Sequence, residues 1–126
     1  EQIFALTAEE ECAFLPRNQG VPRAAAGELA RATLEKLGMG HLKERLPFTL
    51  SYGEKRRLTV ASVLVGQPRV LCLDEPTAAL DHGNLVLLAG LLRNYACAGG
   101  AVLFATHDLA FARGLATRTV ALGEAA

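Results

Sequence analysis

Two adjacent carboxylates, Asp74 and Glu75, follow directly on a short apolar run at residues 70–73. A short run rich in Val and Leu is typical of a buried parallel strand, and open α/β sheets bind their ligands at the carboxyl ends of such strands. There, Asp74 would hold Mg²⁺, directly or through water, and Glu75 would polarise a water molecule for phosphoryl transfer. A lone Asp-Glu pair is more often two solvated acids in a loop, so the prediction depends on a second motif.

The second motif lies upstream, where residues 50–54 have the sequence Leu-Ser-Tyr-Gly-Glu and a helical pattern of apolar residues follows. Ser51 and Glu54 have the spacing of a capping box, which predicts that a helix begins here. A helix start presents unpaired N–H groups and the positive end of the helix dipole, and Gly53 allows a phosphate to approach the backbone closely. A structural helix start and an anion site are therefore compatible interpretations.

The segments around these motifs point to a known family. Residues 77–81, Thr-Ala-Ala-Leu-Asp, follow Pro76, and a second apolar run at residues 101–105 leads into Thr-His-Asp. Together the segments resemble the signature motif, Walker B strand, D-loop and switch histidine of ATP-binding-cassette (ABC) ATPases. The opening residues resemble the ATPases of energy-coupling-factor and cobalt-type importers, and the resemblance covers essentially the whole chain.

The resemblance implies an ATP- and Mg²⁺-dependent site at the strand ends. Asp74 would bind the metal, Glu75 would orient the attacking water, and His107 would contact the γ-phosphate. A lone histidine more often serves packing, but His107 is expected to emerge beside Glu75 on the neighbouring strand.

The resemblance also implies a site shared between two subunits. Ser51, Gly53 and Glu54 would bind the ATP that is held by the opposite subunit. Tyr52 departs from the commonest pattern of the family, which has glycine there, and would place a ring near the ribose. Asp81 would couple the two subunits, although a role as the N-cap of the next helix would explain it equally well.

Composition excludes several classes of protein. Thirteen basic and thirteen acidic residues give zero formal net charge, so no electrostatic footprint for nucleic acid is visible. The only basic cluster, at residues 55–57, is more typical of a solvated helix face than of a phosphate site. The three cysteines form no Cys-x-x-Cys pair, which favours the cytosol, and Cys72 is expected in the core. No apolar run approaches the roughly 20 residues of a membrane helix.

The predicted fold is α/β, a partial P-loop NTPase fold of the ABC ATPase type. Residues 1–66 are expected to form the helical (signature) subdomain. Residues 67–126 are expected to form the C-terminal part of the ATPase core, with strands at 70–73, 101–105 and 119–122. The sequence contains no Gly-Lys dipeptide, so the Walker A phosphate loop is missing. We therefore interpret the chain as a C-terminal portion that is inactive alone.

The expected function is that of an ATPase subunit fragment that energises transmembrane import, of vitamins or transition-metal ions. Its partners would be a second ABC ATPase subunit and a transmembrane subunit, contacted through residues 1–20 at the cytoplasmic face of the membrane. Gln2 is not assigned to the nucleotide site. The alternatives are a non-transport ABC ATPase that acts on chromosomes or ribosomes, and a truncated chain that serves only as an interaction piece.

Overall fold

The computed structural model describes residues 7–123, so the predictions that concern Gln2 and the rest of residues 1–6 lie outside the described part. Within it, helices and strands follow one another in this order: α1 (Ala8–Asn18), α2 (Arg23–Lys36), α3 (Tyr52–Leu64), β1 (Val70–Asp74), α4 (His82–Cys97), β2 (Ala101–Ala105) and α5 (Leu109–Leu115). Short 3-10 turns at Gly40–Leu42 and Pro47–Thr49 connect α2 to α3.

The first three helices pack around one closed apolar cluster. Its positions recur at helical spacing, as in α2, where Ala26, Ala30 and Leu34 are fully buried on one face. The small alanines let the helix backbones approach closely. Gly38, with φ of +69°, follows the end of this helix, where a left-handed conformation favours glycine. The cluster members are Ala8, Cys12, Ala13, Ala26, Ala30, Leu34, Met39, Leu42, Leu50, Leu58, Ala61 and Val65.

The two strands form a parallel pair, with Val70 opposite Ala101 and Asp74 opposite Ala105. α4 supplies the crossover that a parallel pair requires. One face of the pair packs against α4 and α5. On this face the Phe104 ring meets the Phe111 ring edge-on, with centroids 5.5 Å apart. The predicted α/β arrangement of strand, helix and strand is therefore present.

The opposite face of the sheet is open, and the expectation of fully buried strands is wrong. Val70 and Leu103 are 58% and 68% exposed. Cys72, predicted to lie in the core, is exposed on the same face. Successive side chains of a strand point to opposite faces, so every second residue of each apolar run points away from the packed helices. No element within residues 7–123 covers this face.

The predicted third strand, at residues 119–122, is also wrong for the described chain. Val120 and Leu122 are 76% and 89% exposed, and the described sheet contains only β1 and β2. A strand exists by pairing with a neighbour, and neither of these strands pairs with residues 119–122. The expected subdomain boundary at residue 66 stays a prediction. In the described part of the chain, no helix combines the length and apolar character needed to cross a membrane.

Candidate functional site

The end of β1 holds Glu75 in a fixed and unusual backbone conformation. The Glu75 N–H donates to the Ala105 carbonyl at 2.8 Å, which extends the parallel ladder by one residue. The φ angle of Glu75 is +48°, a left-handed value that non-glycine residues rarely adopt. Such a conformation persists only where the surrounding structure holds it, and residues of this kind cluster at functional sites.

The structure brings Glu75 and His107 together, as the strand order predicts. The backbone N–H of His107 donates to Glu75 Oε1 at 3.1 Å, and His107 Nε2 lies 3.4 Å from the same oxygen. The His107 side chain is fully exposed, so it does not serve core packing. An acid and an imidazole therefore face solvent side by side where two parallel strands end.

Asp74 suits a hard cation. Its carboxylate lies on the open face of the sheet and makes no hydrogen bond or ion pair with another residue among 7–123. No group of three or more His, Cys, Asp and Glu side chains in the described chain could enclose a metal. Mg²⁺ keeps several waters and takes one or two carboxylates together with substrate phosphates, so one accessible carboxylate fits it.

The signature segment, residues 50–54, forms the predicted capping box at the start of α3. The Glu54 N–H donates to Ser51 Oγ at 3.2 Å, and the Ser51 N–H donates to Glu54 Oε2 at 2.8 Å. The hydrogen bond from the Ser51 backbone lowers the pKa of the Glu54 carboxyl below its usual value. Ser51 remains exposed, so its hydroxyl is accessible at the surface.

Gly53 is buried against the start of α4. A Cβ atom at this position would lie 2.3 Å from Nδ2 of Asn84, so the close approach of the two helix starts requires glycine or a displaced Asn84. Asn84 donates to Asp81 Oδ1 through its backbone N–H at 2.8 Å and its side-chain amide at 3.0 Å. The predicted N-cap role of Asp81 is thus confirmed, and the signature segment contacts the turn that carries Asp81.

The basic cluster at residues 55–57 is not simply a solvated face, and that interpretation is wrong for two of its three members. Lys55 is exposed, but Arg56 donates from Nη2 to the backbone carbonyl of Glu75. Arg57 is buried and donates to the Leu37 carbonyl at 3.1 Å. Both acceptors are distant in sequence, so charge patterning could not reveal these contacts.

Two threonines that the sequence interpretation passed over tie the strand ends together. The hydroxyls of Thr77 and Thr106 lie 3.1 Å apart, and Thr106 Oγ1 accepts the Asp108 N–H at 2.9 Å. Asp108 in turn caps α5 by accepting the Phe111 N–H at 2.9 Å. The available signal was a threonine just beyond each strand, one residue before His107 in the second case.

The site is a surface and not a pocket. A groove of about 460 Å³ does exist, but it lies between α1, the turn at Pro47–Thr49 and α3. None of the candidate residues at the strand ends lines this groove. Glu75, His107 and Asp74 therefore lie at an open surface of the described chain.

Comparison with known proteins decides the family. The family model described as "ABC transporter" matches residues 3–78. The chain belongs to the ABC transporter family. The strand and helix arrangement is accordingly part of an ABC ATPase fold, and the resemblance drawn from the motifs is confirmed.

The similar proteins include ATPases of importers. It is 43% identical over 110 residues to the energy-coupling factor transporter ATP-binding protein EcfA of Methanoculleus marisnigri, covering 86% of this chain and 40% of the relative. It is 39% identical over 118 residues to the cobalt import ATP-binding protein CbiO of Rhodobacter capsulatus, covering 94% of this chain and 42% of the relative.

A solved ABC ATPase has the same fold. The structure of CbiO1 from Clostridium perfringens, part of the ABC transporter complex CbiONQ, superimposes with a TM-score of 0.73 at 34% sequence identity. The match covers 86% of this chain and 43% of CbiO1. The chain thus spans less than half the length of each of these three proteins.

Proposed function

We propose that this chain is part of an ATPase subunit that hydrolyses MgATP to energise transport across a membrane. The observation that carries the proposal is the pairing of Glu75 with His107 at the ends of two adjacent parallel strands. Phosphoryl transfer to water needs a base that orients the nucleophile and a donor that meets the transferred phosphate. An exposed carboxylate beside an exposed imidazole supplies both groups.

Glu75 is the proposed base, and its backbone geometry supports this role. The N–H of Glu75 is held by the strand ladder, and its Oε1 accepts the His107 N–H, which leaves Oε2 for a water molecule. His107 would contact the γ-phosphate through its exposed ring. Asp74 would hold Mg²⁺, and the metal would supply charge neutralisation on the phosphates.

The signature segment would complete the ATP site of a second ATPase subunit. In the capping box Ser51 Oγ accepts the Glu54 N–H, so the hydroxyl hydrogen of Ser51 is left to donate to a phosphate oxygen. Glu54 holds the Ser51 backbone, and Gly53 keeps the turn compact against Asn84. Asp81 would couple the two subunits from the turn beside Gly53.

The relatives support the proposals for cargo, partners and location. The names of the similar proteins refer to an energy-coupling factor transporter and to cobalt import, so vitamins or transition-metal ions are the proposed cargo. The similar structure belongs to a transporter complex, so we propose a second ATPase subunit and a transmembrane subunit as partners. The subunit would bind peripherally at the cytoplasmic face of the membrane. The zero formal net charge gives no reason to propose a nucleic acid as a partner.

The phosphate loop is a separate part of the proposal. The 126-residue sequence contains no Gly-Lys dipeptide, so a Walker A loop from outside it would have to hold the β- and γ-phosphates. We therefore expect these 126 residues alone not to hydrolyse ATP.

Two isosteric substitutions in the intact protein test the proposal. Glu75→Gln keeps size and hydrogen bonding but removes the basic carboxylate, so MgATP should bind while turnover falls by about 100-fold or more. Asp74→Asn should instead weaken Mg²⁺-dependent ATP binding itself, since a neutral amide is a poorer ligand for a hard cation. The measurements are ATP affinity at varied Mg²⁺ concentration and steady-state hydrolysis. Parent-like hydrolysis by Glu75→Gln would place the base elsewhere.

A further inference from the structure

Arg56 connects the helix that carries the signature segment to the backbone of Glu75. Its Nη2 donates to the Glu75 carbonyl, across 19 residues of sequence. The contact is half-buried, so water competes with it less than at an exposed site. α3 and the end of β1 are thereby joined at the residue proposed as the base.

This contact acts on a backbone that would not hold its conformation unaided. Glu75 has a φ of +48°, which is sparsely populated for a residue with a side chain. Its N–H is held by the Ala105 carbonyl, and its own carbonyl is held by Arg56. Because both peptide groups are fixed, the direction in which the Glu75 side chain leaves the backbone is fixed as well.

Tyr52 holds the guanidinium of Arg56 in turn. The Arg56 Cζ atom lies 5.8 Å from the centroid of the Tyr52 ring, within cation–π range. Arg56 Nε is buried without a hydrogen-bond partner in residues 7–123, so the ring and the Glu75 carbonyl are the contacts that orient the group there. Tyr52 is 52% exposed and lies next to Ser51 at the start of α3.

We propose that Tyr52 and Arg56 are positioning residues that align Glu75 with the signature segment of the same chain. The inference rests on the proposed function, in which Glu75 orients the attacking water. A shift at the start of α3 moves the Tyr52 ring and the Arg56 guanidinium, and through them the Glu75 carbonyl. In this role Tyr52 and Arg56 act through the Glu75 backbone and not on the attacking water itself. Their effect should fall on turnover and not on nucleotide affinity.

Substitutions in the intact protein test this role. Arg56→Met removes the donor at similar length and should lower kcat about tenfold, because a charge-assisted hydrogen bond is lost. Arg56→Lys should recover part of this loss. Tyr52→Leu should lower kcat about threefold by removing the cation–π contact, and Tyr52→Phe, which keeps an aromatic ring, should lower kcat less than Tyr52→Leu does. KM and ATP affinity should stay within about twofold of the parent for all four variants.

Two controls separate positioning from a general loss of charge or stability. Lys55→Met removes a neighbouring exposed cation and should leave kcat unchanged. Arg57→Met removes the contact to the Leu37 carbonyl, so it should lower the melting temperature and change kcat only slightly. In a Glu75→Gln background, Arg56→Met should cause no further loss of turnover, because its effect acts through Glu75.

Unchanged kcat in both Arg56→Met and Tyr52→Leu would overturn the inference, as would a rise in KM at constant kcat. Should Arg56→Met not fold, Arg56→Lys and the exposed Tyr52→Leu decide the question by the same criteria. A further loss of turnover when Arg56→Met is added to Glu75→Gln would also contradict the inference. If Glu75→Gln alone hydrolyses ATP like the parent, the proposed function fails first. If only the Arg56 and Tyr52 variants are parent-like, the positioning role fails and the function stands.

Discussion

The chain contains two capping boxes with nearly the same geometry and different surroundings. At the start of α1, Glu10 N–H donates to Thr7 Oγ1 at 3.1 Å, and Thr7 N–H donates to Glu10 Oε2 at 3.1 Å. At the start of α3, the corresponding distances for Ser51 and Glu54 are 3.2 and 2.8 Å. The local hydrogen bonds therefore do not distinguish the two helix starts.

The remaining N–H groups do distinguish them. At α1 the Ala8 and Glu9 N–H groups donate to the carbonyls of Arg45 and Lys43, at 2.8 and 2.9 Å. At α3 the first two helical residues, Tyr52 and Gly53, have no such acceptor among residues 7–123. An anion needs free N–H groups at a helix start, and of these two helix starts only α3 offers them in the described chain. The capping box at α1 is thus accompanied by backbone acceptors for the next N–H groups, whereas at α3 the N–H groups of Tyr52 and Gly53 have no acceptor in the described chain, as the proposed phosphate contact requires.

The largest expected difference comes from placing a bulky cation at each cap in the intact protein. Ser51→Arg should weaken ATP-driven dimerisation by about 30-fold or more, because it would block the surface that we propose meets the partner's nucleotide. Thr7→Arg, the matched control, should change dimerisation by less than about threefold. Sedimentation or light scattering with and without MgATP measures both. Similar effects at the two caps would remove the distinction between them.

Removal of the capping oxygen should have a smaller and more equal effect on folding. Ser51→Ala and Thr7→Ala should each lower the free energy of unfolding by about 1 kcal/mol, since each loses one N-cap hydrogen bond. Urea denaturation measures this loss. Only Ser51→Ala should also weaken ATP-driven dimerisation, and a parent-like dimer from this variant would contradict the role of the Ser51 hydroxyl.

The smallest expected effect is a pH dependence at the α3 cap. The hydrogen bond from the Ser51 backbone lowers the pKa of Glu54 in the folded state below the ordinary value of 4.5. Its stabilisation is therefore present above pH 4.5 and is lost as the pH falls through the folded-state pKa. Solvent still reaches the half-buried Glu54 and screens its charge, so the effect should be about 0.5 kcal/mol or less.

Comparison of the parent with Glu54→Gln across this pH range measures that contribution. The difference between their free energies of unfolding should shrink below pH 4.5. A difference that stays constant down to pH 3 would show that the charge of Glu54 does not contribute to the cap.

The features that could be predicted from the sequence are those set by neighbouring residues. The capping box of Ser51 and Glu54, the N-cap of Asp81 and the position of two acids at a strand end all depend on spacings of a few residues, so they were predicted correctly. The open face of the sheet was not predicted, because a continuous apolar run indicates a strand but does not show whether both of its faces are covered. Cys72 and Leu103 are exposed for this reason.

The contacts of the basic cluster, residues 55–57, could not be predicted from the sequence either. Arg56 and Arg57 follow each other in sequence, yet their acceptors, the carbonyls of Glu75 and Leu37, lie 19 and 20 residues away in opposite directions. Side-chain type predicts charge, whereas the acceptor is set by how α3 packs against the rest of the chain. The strained backbone of Glu75 likewise has no signal in residue type.

The central claim is that Glu75 and His107 act together on one phosphate, and a double-mutant cycle on turnover tests it most directly. In the intact protein with its partners, Glu75→Gln should lower kcat about 100-fold or more and His107→Ala about tenfold. Because the residues act as a unit, the double variant should stay within about twofold of Glu75→Gln. Two effects that multiply, or hydrolysis by Glu75→Gln at close to the parent rate, would contradict the claim.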